Sequence, residues 1–174
     1  MRALVVYESM FGNTRLIAEA IAGGLARHME VEVEEVSGAP EKIVGTDLLV
    51  VGGPTHAFGM SRASSRQSAA EMIDEPVVSP GIGIREWLDR LEQPGAGVVA
   101  ACFDTRIDKP RVPGSAAVRA HKKLRKLGFS HASYPVSFFV DGTTGPVLAG
   151  EYERAHQWGD ELGSLVAGRV PVAV

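Results

Sequence analysis

The sequence predicts a single α/β domain in which a parallel sheet is covered by helices on both sides. Three observations carry this. Five short apolar runs are spaced along the chain, and most of the segments between them repeat apolar residues at spacings of three and four. The runs at 3–7, 47–53 and 97–103 are apolar without alternation, as in strands buried on both faces. Strand and helix in repeated alternation require right-handed crossovers, hence a three-layer α/β/α arrangement. A length of 174 residues suits one domain spanning 1–174.

The elements follow in order. "ALVVY" (3–7) reads as the first strand, followed by a helix over "NTRLIAEAIAGGLARHM" with Leu16, Ile17, Ala20, Ile21 and Leu25 on one stripe. "VEVEEV" (31–36) opens with strict alternation and suits an edge strand with one wet face. The link from 37 to 46 holds only a turn or one short helix, and "DLLVVGG" (47–53) is the next strand. The segment 61–83 lacks periodicity and reads as an elaborated loop. "REWLDRLEQ" then carries Trp87, Leu88 and Leu91 as a helical stripe. "GVVAACF" (97–103) precedes a helix through Ala117, Ala120, Leu124 and Leu127, with Gly128 at its C-terminal cap. "YPVSFFV" (134–140) is the last strand, and Ala155, Trp158, Leu162 and Leu165 mark the last helix.

Composition narrows the function classes. Apolar residues make up 45% and charged residues 22%, ordinary values for a soluble globular chain. No apolar stretch approaches the roughly 18 residues of a membrane span, and the N-terminal run is too short for a secretory signal. One cysteine, Cys102, excludes an internal disulfide framework and argues against zinc, so the cytoplasm is the expected location. Net charge is −3, and the basic run "HKKLRK" (121–126) reads as the wet face of a helix rather than a nucleic-acid patch.

Sheets of this kind bind ligands beyond the carboxyl ends of their strands, where the strand order reverses. The segments that matter are therefore "ESMFGNT", "PTHAFGMSRASSR" and "DTRIDKPR". In the first, hydroxyls of Ser9 and Thr14, the Asn13 amide and a turn at Gly12 stand where a helix begins. Exposed N–H groups and the helix dipole make such a place an anion cage, well matched to a monophosphate. The Gly-Lys-Ser/Thr ending of a triphosphate loop and the three spaced glycines of a dinucleotide site are both missing. The competing reading is that Ser9 or Asn13 only caps the helix. Two further loops carry aromatics, "GGPTHAFG" (52–59) and "ACFDTR" (101–106), which suits a flat phosphorylated ring system.

On these motifs the chain resembles the flavodoxin-like family along essentially its whole length. The family's phosphate loop, Ser/Thr-x-Thr-Gly-x-Thr, is matched by "SMFGNT" at Ser9, Gly12 and Thr14, with Phe11 in place of the middle hydroxyl. That "SM-aromatic" variant is similar to the flavodoxin modules of A-type diiron flavoproteins. "GPTHAFG" resembles the quinone-reductase branch. The resemblance implies a five-stranded parallel sheet of order 2-1-3-4-5 and FMN as cofactor. It implies that Ser9, Met10, Phe11, Gly12, Asn13 and Thr14 hold the FMN phosphate. Pro54, Thr55, His56, Ala57, Phe58 and Gly59, with Phe103, Asp104, Thr105 and Arg106, are then expected to flank the isoalloxazine. A phospho-receiver, another doubly wound fold, is excluded by Gly52 and Gly53 where its aspartate should stand, and by the lack of a lysine after the last run.

Single residues carry further expectations. Phe58 and Phe103 are candidates to stack on the ring, or else one of them packs into the core. Gly59 offers a peptide free to rotate toward the flavin. His56 is expected to hydrogen-bond the flavin or act as an acid, or to face solvent. Cys102 reads as core filler, and Glu8 is expected to point outward or pair with a cation. No residue stands out as a catalytic acid or base.

Two functions of different kinds follow: an electron carrier that docks redox partner proteins, or an FMN-dependent NAD(P)H:quinone oxidoreductase. A flavodoxin-shaped binding module without flavin is the third. No nucleic-acid or membrane partner is expected, and the chain is read as a monomer or homodimer. Carriers of the family have acidic rims, whereas residues 54–68 here hold Arg62 and Arg66 without an acid. Residues 103–111 hold Arg106, Lys109 and Arg111 against Asp104 and Asp108. Such a cationic surround favours the anionic reduced flavin and a milder hydroquinone potential.

Overall fold

A computed structural model describes residues 1–110 and 113–168. Arg111, counted above among the cations, lies outside the described residues, as do 112 and 169–174. The strands are β1 (Arg2–Tyr7), β2 (Glu30–Glu35), β3 (Leu48–His56), β4 (Gly59–Met60), β5 (Val99–Ile107), β6 (Ser130–His131) and β7 (Val136–Val140). The helices are α1 (Asn13–Leu25), α2 (Ala63–Ala70), α3 (Ile84–Arg90), α4 (Ala116–Leu127) and α5 (Glu151–Ala167).

β2, β1, β3 and β5 lie side by side in parallel, and β6 and β7 both pair with β5 along its far edge. The pair β6–β7 is one strand position interrupted by residues 132–135, so the sheet has the expected order of five parallel positions. β4 is an addition, a short antiparallel return from the end of β3.

Alternation within each strand feeds two cores. Ala3, Val5, Leu48, Val50, Ala101, Phe103 and Phe138 face α1 and α5, while Leu4, Val6, Leu49, Val51, Ala100 and Cys102 face α3 and α4. The second core receives Trp87 and Leu88 from α3 and Ala117, Ala120 and Leu124 from α4. Gly128 caps α4 in the left-handed conformation, as its place in the sequence predicts. Two stripes sit slightly rotated from expectation: Leu16 and Leu165 are exposed, and Ala18, Ala22 and Val166 are buried in their stead.

Three departures matter for the site. β3 continues to His56 and β5 to Ile107, further than their apolar runs suggest, because the strand ends are polar where they enter a cavity. The aperiodic segment 61–83 contains α2. It has no apolar stripe, burying only Arg66 and Ala69. Beyond α2 the chain returns to the first loop, where the Val78 and Ser79 N–H groups donate to the Met10 and Ser9 carbonyls.

Candidate functional site

The carboxyl ends of β1, β3 and β5 surround a cavity of about 380 Å³. Its polar lining includes Ser9, Asn13 and Thr14 where α1 begins and Thr143 from the loop after β7, and its apolar lining includes Met10, Ala57, Ala69, Met72, Ile107 and Val140.

The polar lining at the start of α1 is built by a loop that closes on itself. Gly12, the residue before α1, has φ 90°, a left-handed conformation that glycine adopts at no steric cost. Its N–H donates to the Ser9 hydroxyl oxygen at 3.1 Å, and the Ser9 N–H donates to the Ser79 hydroxyl at 3.0 Å. Thr14 and Thr105 share a hydrogen bond of 2.7 Å between their hydroxyls, tying the first loop to the end of β5. Asn13 donates from Nδ2 to the Thr144 carbonyl at 2.9 Å and so pins the 141–145 loop over the start of α1. Neither Ser9 nor Asn13 caps α1. Among the described residues no side-chain cap bond is made at its N-cap, and no acid lies in its first turn. The alternative reading of the motif as a plain helix cap is therefore set aside. Uncapped N–H groups at a cavity, with hydroxyls around them, make an anion site whose partial positive charge needs no lysine.

Of the residues expected at the site, Ser9, Met10, Phe11, Asn13, Thr14, Pro54, Thr55, His56, Ala57, Thr105 and Arg106 line this cavity. Gly12 does not line it and sets the turn of the loop through its left-handed φ. Phe103 does not line it. Its side chain is fully buried in the α1/α5 core and meets Phe138 and Trp158 edge to face at 6.1 and 6.4 Å between centroids. A Cβ on Gly52 would lie 2.0 Å from the Phe103 ring, so that glycine serves core packing. Phe103 is thus the core phenylalanine of the two.

Asp104 also faces inward, fully buried toward α4. It accepts from the Thr55 hydroxyl at 2.9 Å, the Ser115 hydroxyl at 2.5 Å and the Ala117 N–H at 3.1 Å. It braces β3 against the start of α4 and does not flank the cavity. Phe58 lies on the outer side of the hairpin between β3 and β4, 55% exposed, and does not line the cavity either. Gly59 is buried beside the Arg119 side chain.

Glu8 is buried at 1% exposure rather than directed outward. Its Oε2 accepts from the Ile84 N–H at 2.8 Å, and Oε1 has no partner. Burial pushes its carboxyl above the usual range, opposed by hydrogen bonds from Ser61 and Ile84 and by the charge of Arg66. Arg66 is itself buried, bonded to Ser61 and to both oxygens of Glu86. Its charge is therefore spent inside the protein, away from the cavity, whose described lining includes Arg106. The His56 ring bonds the Ser65 hydroxyl at 3.1 Å, and burial, aided by Arg66, lowers its pKa below the ordinary value. Cys102 is core, its thiol pushed far up by burial.

Ser65, Ser68, Ala69, Met72, Ile107, Val140 and Thr143 also line the cavity without having been anticipated. For Thr143 a signal existed: "DGTTGP" is a turn at the carboxyl end of the last strand, the same place in the fold as the other loops. The wall from α2 had no such signal.

With this geometry in hand, the comparisons with known proteins decide the family. The sequence matches the flavodoxin family over residues 5–158. The chain belongs to the flavodoxin family. An archaeal flavodoxin structure is similar at 21% identity with a TM-score of 0.64, covering 95% of this chain and 99% of that one. Flavodoxin 1 from Bacillus cereus gives 18% identity and a TM-score of 0.67, covering 98% and 99%. Rubredoxin oxygen:oxidoreductase from Desulfovibrio gigas gives 14% identity and a TM-score of 0.62 over 96% of this chain, but only 36% of that longer one. A comparison with curated proteins gives no match. Among the described residues, no helix is long and apolar enough to cross a membrane, and no cluster of His, Cys, Asp and Glu could hold a metal ion.

Proposed function

We propose that this flavodoxin-family chain binds FMN and carries electrons through it, in the cytoplasm, between redox partners. The observation that carries the reading is a cavity lined by hydroxyls where α1 begins uncapped and by apolar side chains from Met10, Ala57, Ala69 and Met72. A bound flavin supplies reversible one- and two-electron chemistry. The chain's own residues do the rest. Ser9, Gly12, Asn13 and Thr14 would hold the phosphate dianion against the start of α1. Met10, Ala57, Ala69 and Met72 exclude water from the ring. His56, held by Ser65, offers a hydrogen bond to a group in the cavity.

Titrating the flavin-free protein with FMN and with riboflavin tests this. Quenching of flavin fluorescence should show stoichiometric FMN binding, with riboflavin weaker by at least about tenfold for lack of the phosphate contacts. Failure of FMN to bind would leave a flavodoxin-shaped module without flavin.

A second reading, an NAD(P)H:quinone oxidoreductase, is favoured by His56 and Arg106, a proton-exchanging ring and a cation that both line the cavity. Saturable turnover of NADPH and a quinone by the FMN-loaded protein would select it, whereas reduction only by a protein donor would select the carrier.

A further inference from the structure

The hairpin from β3 to β4 turns in two residues, with His56 opposite Gly59, and both turn residues have positive φ, Ala57 at 36° and Phe58 at 77°. Turns of this class favour Asn-Gly, because residues with a Cβ are strained in the left-handed region, a bulky one most of all. Here the second position is phenylalanine, and its ring is 55% exposed. The fold gains little from a strained, solvated phenyl. Strain of this kind, held by its surroundings, marks sites of function. The surroundings do hold it: a Cβ on Gly114 would lie 2.2 Å from the Phe58 carbonyl oxygen, so the chain before α4 packs directly on the turn.

The surface around Phe58 is cationic. The Arg119 side chain lies against Gly59. Arg85 donates to the Met60 and Ser61 carbonyls at 2.7 and 3.0 Å, and Arg62 follows immediately, exposed. Lys123 bonds the Arg85 carbonyl and pairs with Asp89, and Lys122 stands beside it, exposed. Among the described residues no acid pairs with Arg62, Arg119 or Lys122. Of the exposed acids near the cavity, Glu71, Asp74 and Glu75 stand beyond the far end of α2, and Asp141 follows β7. A chain of net charge −3 thus carries a cationic collar around one exposed aromatic, next to Ala57, which lines the cavity.

We propose that Phe58 and its collar of Arg62, Arg85, Arg119 and Lys122 form the docking surface for an acidic protein, one whose carboxylates ring an apolar hollow. Charge complementarity selects the partner and speeds encounter, and the phenyl provides the desolvated anchor at the centre. That the partner exchanges electrons with the cavity rests on the redox reading above; the docking does not.

The test measures binding of the flavin-free protein to a strongly acidic plant-type ferredoxin, to basic cytochrome c and to a single-stranded oligonucleotide. The ferredoxin should bind best, and its Kd should rise by roughly tenfold between low and physiological salt. Arg62→Glu with Arg119→Glu should abolish binding, while Lys42→Glu, in the 36–47 link, should leave it unchanged. Phe58→Gly should weaken binding by about tenfold or more while its melting temperature stays level or rises, since glycine relieves the turn. The proposal is overturned if cytochrome c or the oligonucleotide binds as tightly as the ferredoxin. It is equally overturned if Phe58→Gly keeps full affinity, or if that variant melts lower, which would make Phe58 a structural turn residue. Repeating the series with FMN separates the two readings, because failure to take up flavin removes the redox role and leaves the docking result standing.

Discussion

Gly52 and Phe103 show how a residue that looks functional can be structural. The tip of the phenyl ring lies against the glycine in the α1/α5 core, with no room for a methyl group between them. Gly52→Ala should therefore destabilise the protein by about 1–3 kcal/mol or more through overpacking, and Phe103→Leu in the same chain should recover part of the loss. Urea unfolding of the two variants measures both effects; equal stability of Gly52→Ala and wild type would refute the packing argument. At Arg106 the expectation concerns the flavin. A unit charge about 6 Å from the ring, at an effective dielectric of about 40, is worth roughly 1.4 kcal/mol. That is about 60 mV for one electron. Arg106→Gln should lower the hydroquinone potential by tens of millivolts, up to that figure, in a spectroelectrochemical titration. Because Arg66 is committed to Glu86, Arg66→Gln should act mainly on stability instead.

At the scale of elements, α2 is the one whose existence rests on that arginine. Its eight residues, "ASSRQSAA", bury only Arg66 and Ala69, so tertiary bonds rather than propensity hold it in place. Arg66→Met would leave buried Glu8 and half-buried Glu86 without their cation, a change that costs less than the roughly 3–5 kcal/mol of breaking a fully buried pair. The variant should show faster hydrogen exchange over 63–70 and weaker FMN binding, since Ser65, Ser68 and Ala69 line the cavity. Unchanged exchange there would show that α2 is held otherwise. The same case explains what was legible in the sequence. β1, β3 and β5 were readable because a strand buried on both faces must be apolar throughout, and α4 because its stripe ends in a glycine cap. α2 was not, because a helix held by the ion pair of buried Arg66 with Glu86 leaves no hydrophobic period. The polar ends of β3 and β5 were mistaken for loop. That is why Phe103, mid-strand and in the same alternation as Ala101, looked like a site residue. The hydroxyl-rich first loop was legible because anion binding at a helix start is local chemistry, needing few long-range contacts to be recognised.

The whole molecule should respond to pH through groups that these contacts hold away from their ordinary pKa values. His56 is held below 6.5 by burial first and by Arg66 second. His121 on α4 and His131 on β6 stack at 3.6 Å, both lowered by burial first, with Arg125 acting on each. In all three the unfolded chain binds protons more readily than the folded one, so their contribution is complete above about pH 6.5 and is lost as pH falls below it. Glu8 runs the other way. Its raised pKa gives stability that is present below its ordinary 4.5 and lost as pH rises through the folded value. Stability should therefore decline on the acid side from about pH 6.5 downward, and His131→Gln should flatten that decline without removing it. A ligand that binds only the folded state adds to this balance as RT ln(1 + [L]/Kd), about 2.7 kcal/mol at a hundredfold excess over Kd. For a domain of this size that corresponds to a melting shift of roughly 5–10 °C. FMN should produce the shift and riboflavin a smaller one. The FMN increment should shrink as pH falls through about 6, because the phosphate monoester then loses its second charge and the uncapped amides at the start of α1 have less to hold. An increment independent of pH would mean that the ring rather than the phosphate dominates binding.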